Sequence, residues 1–311
     1  MPISPVSARI DVPLTQFATA YKNDEFFADI LSPVVSTPDV GGKYAQRNRR
    51  DVSHARNDML GSRGHHNEVD YDVTWTAYLV QDRGLKGVVS SQLRQSAAAV
   101  LSPDQLCVDN VMQNMMLNRE IRVATQLCTS GNFTNTGAVG TVWTNETSGN
   151  PLGDIGTAVA AIPSFGANSK LVGYCAQTVW NALRKHPQML ALKGISEGQV
   201  SLEEAARYLG IDELYVSKTR KETANLGVTA SYAYVYTATV FGIIALPRNA
   251  PAGNDVQAFS VTFRQEPGLE VRSWEIPDEG KGGSTAHAVE LSDVEVIPQA
   301  DMGYLLTSVI A

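Results

Sequence analysis

Apolar and polar residues alternate with the period of a β-strand between Val69 and Val80. Val69, Tyr71, Val73, Trp75 and Ala77 fall on one face of such a strand, and Asp70, Asp72, Thr74 and Thr76 fall on the other. This pattern is typical of a strand that buries one face. Before it, Gly41-Gly42 marks a turn, and a polar stretch of about 25 residues follows, a length that is uncommon without a function. We therefore predict a long two-stranded hairpin over residues 38–80 that projects from the body.

A second pattern has the period of an α-helix and extends from residue 103 to residue 129. Ser102 and Pro103 fit the N-cap and the first helical position, and Gln105 fits the third position of a capping box. The apolar stripe consists of Cys107, Val111, Leu117, Ile121, Ala124 and Cys128, widened by Val108, Met112 and Met115. At 1.5 Å per residue this helix would be about 40 Å long. We expect a helix of this length to span a flat body.

The remaining segments are shorter. Residues 1–37 combine several prolines with short apolar fragments, which predicts an extended arm with one helical turn at 24–31. Beyond residue 150 we predict helices at 151–162, 176–186 and 201–209, the second ended by Pro187. Ser201 and Glu204 fit a capping box for the third, and Gly210 fits its left-handed C-terminal position. Strands are predicted at 170–174, 214–217, 232–246, 259–263, 270–276 and 288–297, with a turn at 280–284.

Composition excludes several classes of protein. The formal net charge is −7 and the pI is about 5.3, which argues against a surface that binds nucleic acid or anionic lipid all over. The longest strongly apolar stretch, Val240 to Leu246, is far shorter than the ~18 residues of a membrane span. The N-terminus lacks a basic segment followed by an apolar one, so we do not expect secretion. Three cysteines with no zinc-site spacing predict reduced, buried thiols.

Two patterns could carry chemistry. The segment Gly194-Ile195-Ser196-Glu197-Gly198 matches a nucleophile motif, with His287 in a turn as the base, but we predict neither a buried strand before it nor a helix directly after it. The histidines His54, His65 and His66, with Asp58, Glu68 and Asp70, have no zinc spacing. No phosphate-binding glycine motif is present. We therefore predict no catalytic residue, no metal and no cofactor, and we keep a soluble α/β hydrolase-type enzyme as the weaker alternative.

The hairpin carries a cluster of arginines. Between Val40 and His66 there are six basic residues against two acidic ones, and the arginines are Arg47, Arg49, Arg50, Arg56 and Arg63. No aromatic residue falls between Tyr44 and Tyr71, so this segment has no ring on which a nucleic-acid base would stack. Residues 151–311 carry 17 acidic against 12 basic residues, which is a complementary surface within the same sequence. We therefore predict that these arginines make inter-subunit contacts; a nucleic-acid-binding module and a merely solvated loop remain as alternatives.

The order of elements resembles the major capsid protein of tailed phages with the Hong Kong 97-type fold. Gly42-Lys43-Tyr44 lies at the base of the hairpin and Arg119-Glu120 lies in the long helix. Further motifs follow in order: Leu171-Val172-Gly173, Val179-Trp180, Leu183, His186-Pro187, Leu214 to Ser217, Asn225 and Gly303-Tyr304-Leu305. The likeness covers most of residues 25–311. The order of these motifs carries the resemblance, since none of them is specific alone.

The resemblance implies an α+β fold with a defined domain organisation. It consists of an N-terminal arm (1–37), an extended hairpin loop (38–80), a peripheral domain with its spine helix (81–164, spine helix 103–129), an axial domain (165–264) and returning peripheral strands (265–311). The arm and the hairpin would lie across adjacent subunits. Some relatives link subunits covalently through a hairpin lysine. This hairpin has no lysine between Lys43 and Lys86, so that bond is not expected here.

The function implied is a structural one. The chain would self-assemble as hexamers and pentamers into the icosahedral head of a bacteriophage, which encloses double-stranded DNA without sequence-specific binding. A portal and decoration proteins would be further partners. Because the chain begins directly with the arm, assembly would need a separate scaffolding protein, or else a propeptide has already been lost. Its location would be the virion capsid, assembled in the host bacterial cytoplasm without a membrane. An encapsulin-like compartment shell is the alternative within the same fold.

Overall fold

Helices and strands are mixed along the whole chain, as an α+β fold requires. The computed structural model describes residues 9–21, 23–47, 55, 57–60, 64–68, 72–96, 102–163, 169–193, 199–225, 227–249 and 257–311. The helices in these residues are α1 (Val12–Ala20), α2 (Ala28–Leu31), α3 (Ser91–Ser96), α4 (Pro103–Cys128), α5 (Pro151–Ala161), α6 (Gln177–Leu183), α7 (Pro187–Lys193) and α8 (Leu202–Leu209). The strands are β1 (Arg9–Ile10), β2 (Val34–Thr37), β3 (Gly41–Arg47), β4 (Val73–Leu79), β5 (Gln81–Ser90), β6 (Asn135–Ala138), β7 (Ser169–Ala176), β8 (Glu213–Ser217), β9 (Arg220–Glu222), β10 (Tyr232–Tyr234), β11 (Phe241–Pro247), β12 (Val261–Gln265), β13 (Glu270–Ile276), β14 (Ser284–Val296) and β15 (Gly303–Thr307).

The larger sheet is organised around β14. Its order is β1-β13-β14-β12-β2, and β5 pairs with β14 as a further strand. Strand β14 is long enough to pair with β13 through its first half and with β12 through its end. Strand β2 of the arm joins β12 in parallel, whereas the other pairs of this sheet are antiparallel. The arm is therefore an integral part of this sheet.

The smaller sheet has the order β6-β15-β11-β7-β8. Strand β11 is buried along almost its full length, and its side chains form a core with those of β7 and the surrounding helices. Gly242 lies opposite Tyr174 in this sheet, and a Cβ atom at Gly242 would overlap the Tyr174 ring. Two separate two-stranded ribbons, β3–β4 and β9–β10, extend from these sheets.

The spine helix α4 is confirmed as a helix of 26 residues. Its buried face differs from the predicted stripe, because Leu117 and Ile121 are only half-buried whereas Arg119 and Glu120 are buried. The reason is that α2 of the arm packs against this part of the helix. The predicted capping box is also wrong at this end, because the Ser102 side chain makes no capping hydrogen bond. The capping box of Ser201 and Glu204, with Gly210 at φ 71°, is confirmed.

The arm departs most from its prediction. Residues 12–20 form helix α1 where an extended segment was expected. The Asp11 side chain accepts a hydrogen bond from the Leu14 N–H, which caps the helix, and Pro13 occupies a position in its first turn. Leu14 and Ala18 then pack against the first half of the spine helix. The predicted helical turn at 24–31 corresponds to α2, which is one turn long.

Three further boundaries are corrected. The helix predicted at 176–186 ends at Leu183, and Pro187 begins the next helix, α7, where its missing N–H is harmless. The segment predicted as one strand at 232–246 is divided into β10 and β11 by a turn at 235–240. The strand predicted at 288–297 begins at Ser284, and β5 was not predicted at all.

Candidate assembly interface

The hairpin is anchored to the body through aromatic stacking. Strands β3 and β4 pair in antiparallel register, with Lys43 opposite Ala77. The rings of Tyr78 and Phe263 stack with centroids 4.1 Å apart, and Tyr44 lies 6.0 Å from the same Phe263 ring. The Tyr78 hydroxyl donates to Thr37 Oγ1 at 3.1 Å. Burial raises the pKa of Tyr44. One face of the hairpin base is therefore fixed on β12.

The opposite face of the hairpin base is open. Trp75 is 57% exposed and Leu79 is 66% exposed. The period of the strand was predicted correctly, but its predicted buried face is the one that the chain leaves uncovered. Tyr44 and Tyr78 lie on the inner face because both rings pack on Phe263 and the Tyr78 hydroxyl donates a hydrogen bond to Thr37. We call Trp75 and Leu79 the open hairpin face.

The predicted contact arginines lie at and beyond the end of β3. The backbone of Arg47 pairs with Val73 as the last residue of that strand. Arg49, Arg50, Arg56 and Arg63 fall outside the described residues, as does the side chain of Arg47.

A buried carboxylate fixes the arm to the spine helix. Glu120 is completely buried, and its Oε1 and Oε2 accept hydrogen bonds from the N–H groups of Phe27 (3.2 Å) and Ala28 (2.7 Å). It thereby satisfies N–H groups at the start of α2. Burial raises the pKa of Glu120, although Tyr236, these two N–H groups and Arg119 favour its charged form. In the sequence, the Arg119-Glu120 motif pointed to this part of the helix. Nothing in the sequence indicated that Glu120 would contact the arm.

Arg119 holds the next part of the arm. Its guanidinium pairs with Asp29 and donates to the Ser32 carbonyl at 3.2 Å. The Ser32 hydroxyl in turn lies 2.9 Å from Thr262 Oγ1 in β12. Adjacent positions of the spine helix therefore hold both ends of α2. The direction in which the chain leaves the arm and enters β2 is fixed by these contacts.

An ionic cluster joins the spine helix to the larger sheet. Asp293 is fully buried and lies 2.8 Å from Arg83 Nε and 3.1 Å from Arg122 Nη2. Glu295 pairs with the same Arg122 at 2.8 Å. Burial lowers the pKa of Arg264, and the nearby Arg119 lowers it further. Because each carboxylate has a guanidinium within hydrogen-bond distance, the cluster locks β5, β12 and β14 to the spine helix.

His287, the proposed base of the hydrolase alternative, has a structural role instead. His287 was predicted to lie in a turn, but it is buried within β14. Its Nδ1 lies 2.8 Å from Ser273 Oγ and its Nε2 lies 3.0 Å from Asp104 Oδ1. Asp104 also pairs with Arg94, and hydrogen bonds from Arg94 and His287 lower its pKa against the opposing effect of burial. These contacts attach the first turn of the spine helix to the sheet; the motif at residues 194–198 lies outside the described residues.

Other candidate chemistry can be compared with the described residues. A cleft of about 580 Å³ between the spine helix and the larger sheet is floored by Met112, Met115 and Met116, and its arginines are engaged in the ion pairs above. No group of metal-binding side chains is found in the described part of the chain. The three cysteines are free; Cys175 is buried, whereas Cys107 and Cys128 are partly exposed. None of the described helices is both long and apolar enough to cross a membrane.

Comparisons with known proteins agree with this architecture. No protein-family model matches the chain. The chain is similar to a major capsid protein of Pseudomonas phage JBD67, with 24% identity over 231 residues, which are 71% of this chain and 72% of that protein. A solved structure of a phage-related protein from Bordetella bronchiseptica RB50 aligns over 97% of this chain and 98% of its own, with a TM-score of 0.76 and 19% identity.

Two more distant structures extend the comparison. The capsid of Cyanophage P-SCSP1u aligns over 93% of this chain and 89% of its own, with a TM-score of 0.55 and 10% identity. An encapsulin of Synechococcus elongatus PCC 7942 aligns over 97% and 96%, with a TM-score of 0.52 and 17% identity. The predicted α+β fold of the Hong Kong 97 type is confirmed, and so is the resemblance to phage major capsid proteins.

Proposed function

We propose that this chain is a major capsid protein that self-assembles as hexamers and pentamers into the icosahedral head of a bacteriophage. It shares the capsid fold over nearly its whole length, and the curated relative that it resembles is a phage major capsid protein. Its role is structural: the side chains described above hold elements together.

The open hairpin face is the observation that carries this proposal. Two large apolar side chains, Trp75 and Leu79, project from a ribbon whose other face is already fixed on β12. Exposed apolar patches of this kind mark interaction sites. A second copy of the chain that covers Trp75 and Leu79 would bury this face, and the same contact would be repeated around a closed shell.

The hairpin arginines would add ionic contacts to this apolar one. Arg47, Arg49, Arg50, Arg56 and Arg63 are proposed to pair with carboxylates of a neighbouring copy. A single exposed ion pair contributes only about 0.2–1 kcal/mol. Many copies in a closed shell act together through avidity, so weak contacts suffice.

The organisation of the subunit and its partners belong to the same proposal. The arm (1–37), the hairpin (38–80), the peripheral parts (81–164 and 265–311) and the axial part (165–264) remain the proposed division. Strands β6 and β15, from the peripheral ranges, pair in the smaller sheet, and β12, which begins within the axial range, pairs in the larger one. The chain therefore crosses between the two sheets more than once. A scaffolding protein, a portal and decoration proteins are further proposed partners. The head would enclose double-stranded DNA and be assembled in the host cytoplasm.

Charge reversal in the hairpin tests the proposal. Arg49→Glu/Arg50→Glu should leave the subunit folded, as judged by circular dichroism and its melting temperature, but block shell formation because four charge units change per subunit. Lys185→Glu/Lys281→Glu, which changes two exposed lysines outside the hairpin by the same amount, is the matched control. Size-exclusion chromatography and negative-stain electron microscopy count the shells, tubes or rings formed.

The two outcomes are clearly separated. Shells from the control and none from the hairpin variant would support the contact. Wild-type-like shells from the hairpin variant would refute the role of Arg49 and Arg50. A wild-type chain that stays at the monomer mass of 33.5 kDa, even with a scaffolding protein, would refute the capsid function itself.

An encapsulin-like compartment shell is the second candidate, because an encapsulin shares the fold. The two functions differ in what the particle contains. Nuclease-protected double-stranded DNA in purified particles supports the phage head, whereas a stoichiometric protein cargo without DNA supports the compartment.

A further inference from the structure

The ribbon β9–β10 forms a small platform beyond the end of β8. Arg220 lies opposite Tyr234 and Glu222 lies opposite Tyr232, so these four side chains share one face. Thr219 at its base is buried, and its hydroxyl donates to the Glu25 carbonyl of the arm at 2.9 Å. The ribbon is closed beyond the strands by the Thr223 N–H, which donates to the Ser231 carbonyl at 2.8 Å. The platform is thus fixed at its base and held in register.

The cations of this ribbon are not neutralised within the part of the chain that the structure describes. Lys218, Arg220 and Lys221 follow closely in sequence, and no ion pair of theirs is found among the described residues. In contrast, Arg83 and Arg272 of the larger sheet and Arg122 of the spine helix are paired with carboxylates at 2.8–3.4 Å. Glu222 is the single acidic residue of the two strands. The ribbon is therefore a local positive surface on a chain whose net charge is −7.

Aromatic side chains accompany these cations. The Arg220 guanidinium lies 4.7 Å from the centroid of the Tyr234 ring and donates to the Tyr234 hydroxyl at 2.9 Å. This contact orients the guanidinium although Arg220 is exposed. Tyr232 is 65% exposed, with its ring free to contact a partner. An arginine that stacks on an aromatic ring still presents its charged donors to phosphate, an anion that the planar guanidinium recognises.

We infer that the ribbon binds the phosphate backbone of nucleic acid through Arg220, on the face of Tyr232, Tyr234 and Glu222, and through the neighbouring Lys218 and Lys221. This inference rests on the proposed function, which places double-stranded DNA inside the shell. The ribbon contacts phosphates and sugars and reads no bases, because cations alone carry no sequence information. The arginine hairpin, which lacks neighbouring aromatic residues, is reserved for subunit contacts.

The experiment measures DNA binding by the full-length, unassembled protein. The variant Lys218→Gln/Arg220→Gln/Lys221→Gln is compared with Lys86→Gln/Lys185→Gln/Lys281→Gln, which removes the same charge from three exposed lysines elsewhere. Fluorescence anisotropy with a short DNA duplex of random sequence is recorded over a series of salt concentrations. Each phosphate contact contributes about 0.9 to the slope of log K against log salt, so the ribbon variant should lose about 2–3 units of slope.

The expected result is at least a tenfold loss of affinity at low salt for the ribbon variant and less than a twofold loss for the control. Equal losses in both variants would overturn the inference, because net charge alone would then explain binding. Unchanged DNA binding in the ribbon variant, or no binding by the wild-type chain, would also overturn it. If that variant keeps its DNA affinity but no longer assembles, the ribbon is a subunit contact instead.

Shell formation by the same variants separates this inference from the proposed function. DNA binding is measured before assembly. A wild-type chain that never forms shells would therefore refute the capsid function but leave the result for DNA binding by the ribbon unaffected. A ribbon variant that forms normal shells but has lost its DNA affinity supports both.

Discussion

At the scale of single residues, Glu120 is a charged group in a place where charge is costly. A buried carboxylate without hydrogen bonds would be strongly destabilising. Here the N–H groups of Phe27 and Ala28 supply those bonds at 3.2 and 2.7 Å, and Arg119 occupies the preceding position. The carboxylate thereby replaces the helical partners that the start of α2 lacks. We conclude that Glu120 determines where the arm turns.

We expect Glu120→Ala to lower the free energy of unfolding by about 2–4 kcal/mol, because two buried N–H groups lose their acceptor. Glu120→Gln should cost less, since its amide oxygen still accepts one of these bonds. Chemical denaturation of the unassembled protein measures both. Glu203→Ala, an exposed glutamate in α8, is the control and should stay within about 0.5 kcal/mol of the wild type.

The raised pKa of Glu120 also predicts a pH dependence. Its pKa in the folded chain lies above the ordinary 4.5, so the folded state takes up a proton before the unfolded state does. As the pH falls from 7 towards 4.5, the wild type should therefore gain stability relative to Glu120→Gln, and the difference should stay constant below that range. A difference between the two proteins that is independent of pH would show that Glu120 titrates normally.

At the scale of elements, the contact between β5 and the spine helix is exceptionally close. A Cβ atom at Gly87 would overlap Cys107 Sγ and would lie 3.2 Å from Val111 Cγ2. The sheet can approach the helix here only because residue 87 has no side chain. His287, on the neighbouring strand opposite Gly87, uses this proximity to contact Asp104.

We expect Gly87→Ala to destabilise the subunit by about 1–3 kcal/mol, as overpacking typically does. The smaller side chain of Cys107→Ala should restore part of the loss in the double variant, because the closest overlap disappears. Thermal and urea unfolding of the two single variants and the double variant give the coupling between the sites. Simple additivity would mean that the backbone, and not Cys107, accommodates the added methyl group.

At the scale of the whole molecule, the chain leaves apolar surface uncovered at its hairpin and on its arm helix. Trp75 and Leu79 are exposed on the hairpin, and Ile10 and Val12 are exposed at the start of the arm. A subunit that covers this surface only in a shell would have a stable core as a monomer and would associate through these extensions. The hairpin and the arm thus both carry exposed apolar side chains that another copy would cover.

We predict that Trp75→Ser/Leu79→Ser leaves the melting temperature of the unassembled subunit nearly unchanged, because both side chains are exposed in it. Shell formation should fall at least tenfold, since the apolar contact with the next copy is lost. Light scattering and electron microscopy follow assembly. Leu192→Ser/Leu202→Ser removes two comparably exposed leucines of α7 and α8 and serves as the control. Normal assembly of the hairpin variant would show that this face stays open in the shell.

Local signals allowed part of this structure to be predicted from the sequence. The helical period predicted the spine helix almost to its last residue, and Ser201, Glu204 and Gly210 predicted both ends of α8. The strand period predicted β4 and β13. These features depend on residues three or four positions apart, or on alternation within one strand. Asp11 and Pro13 carried a similar signal for α1, which the prolines of the arm obscured.

The tertiary structure alone decided which faces are used. The alternation in β4 could not tell that Tyr78 would stack on Phe263 and leave Trp75 exposed. Glu120 is buried because the arm, 93 residues earlier, presents its N–H groups. The parallel pairing of β2 with β12 likewise joins distant segments. Most of the elements and their order followed from neighbouring residues, although β5 and helix α1 were not predicted. Which surfaces are buried and which remain for other subunits depended on contacts between residues far apart in the chain.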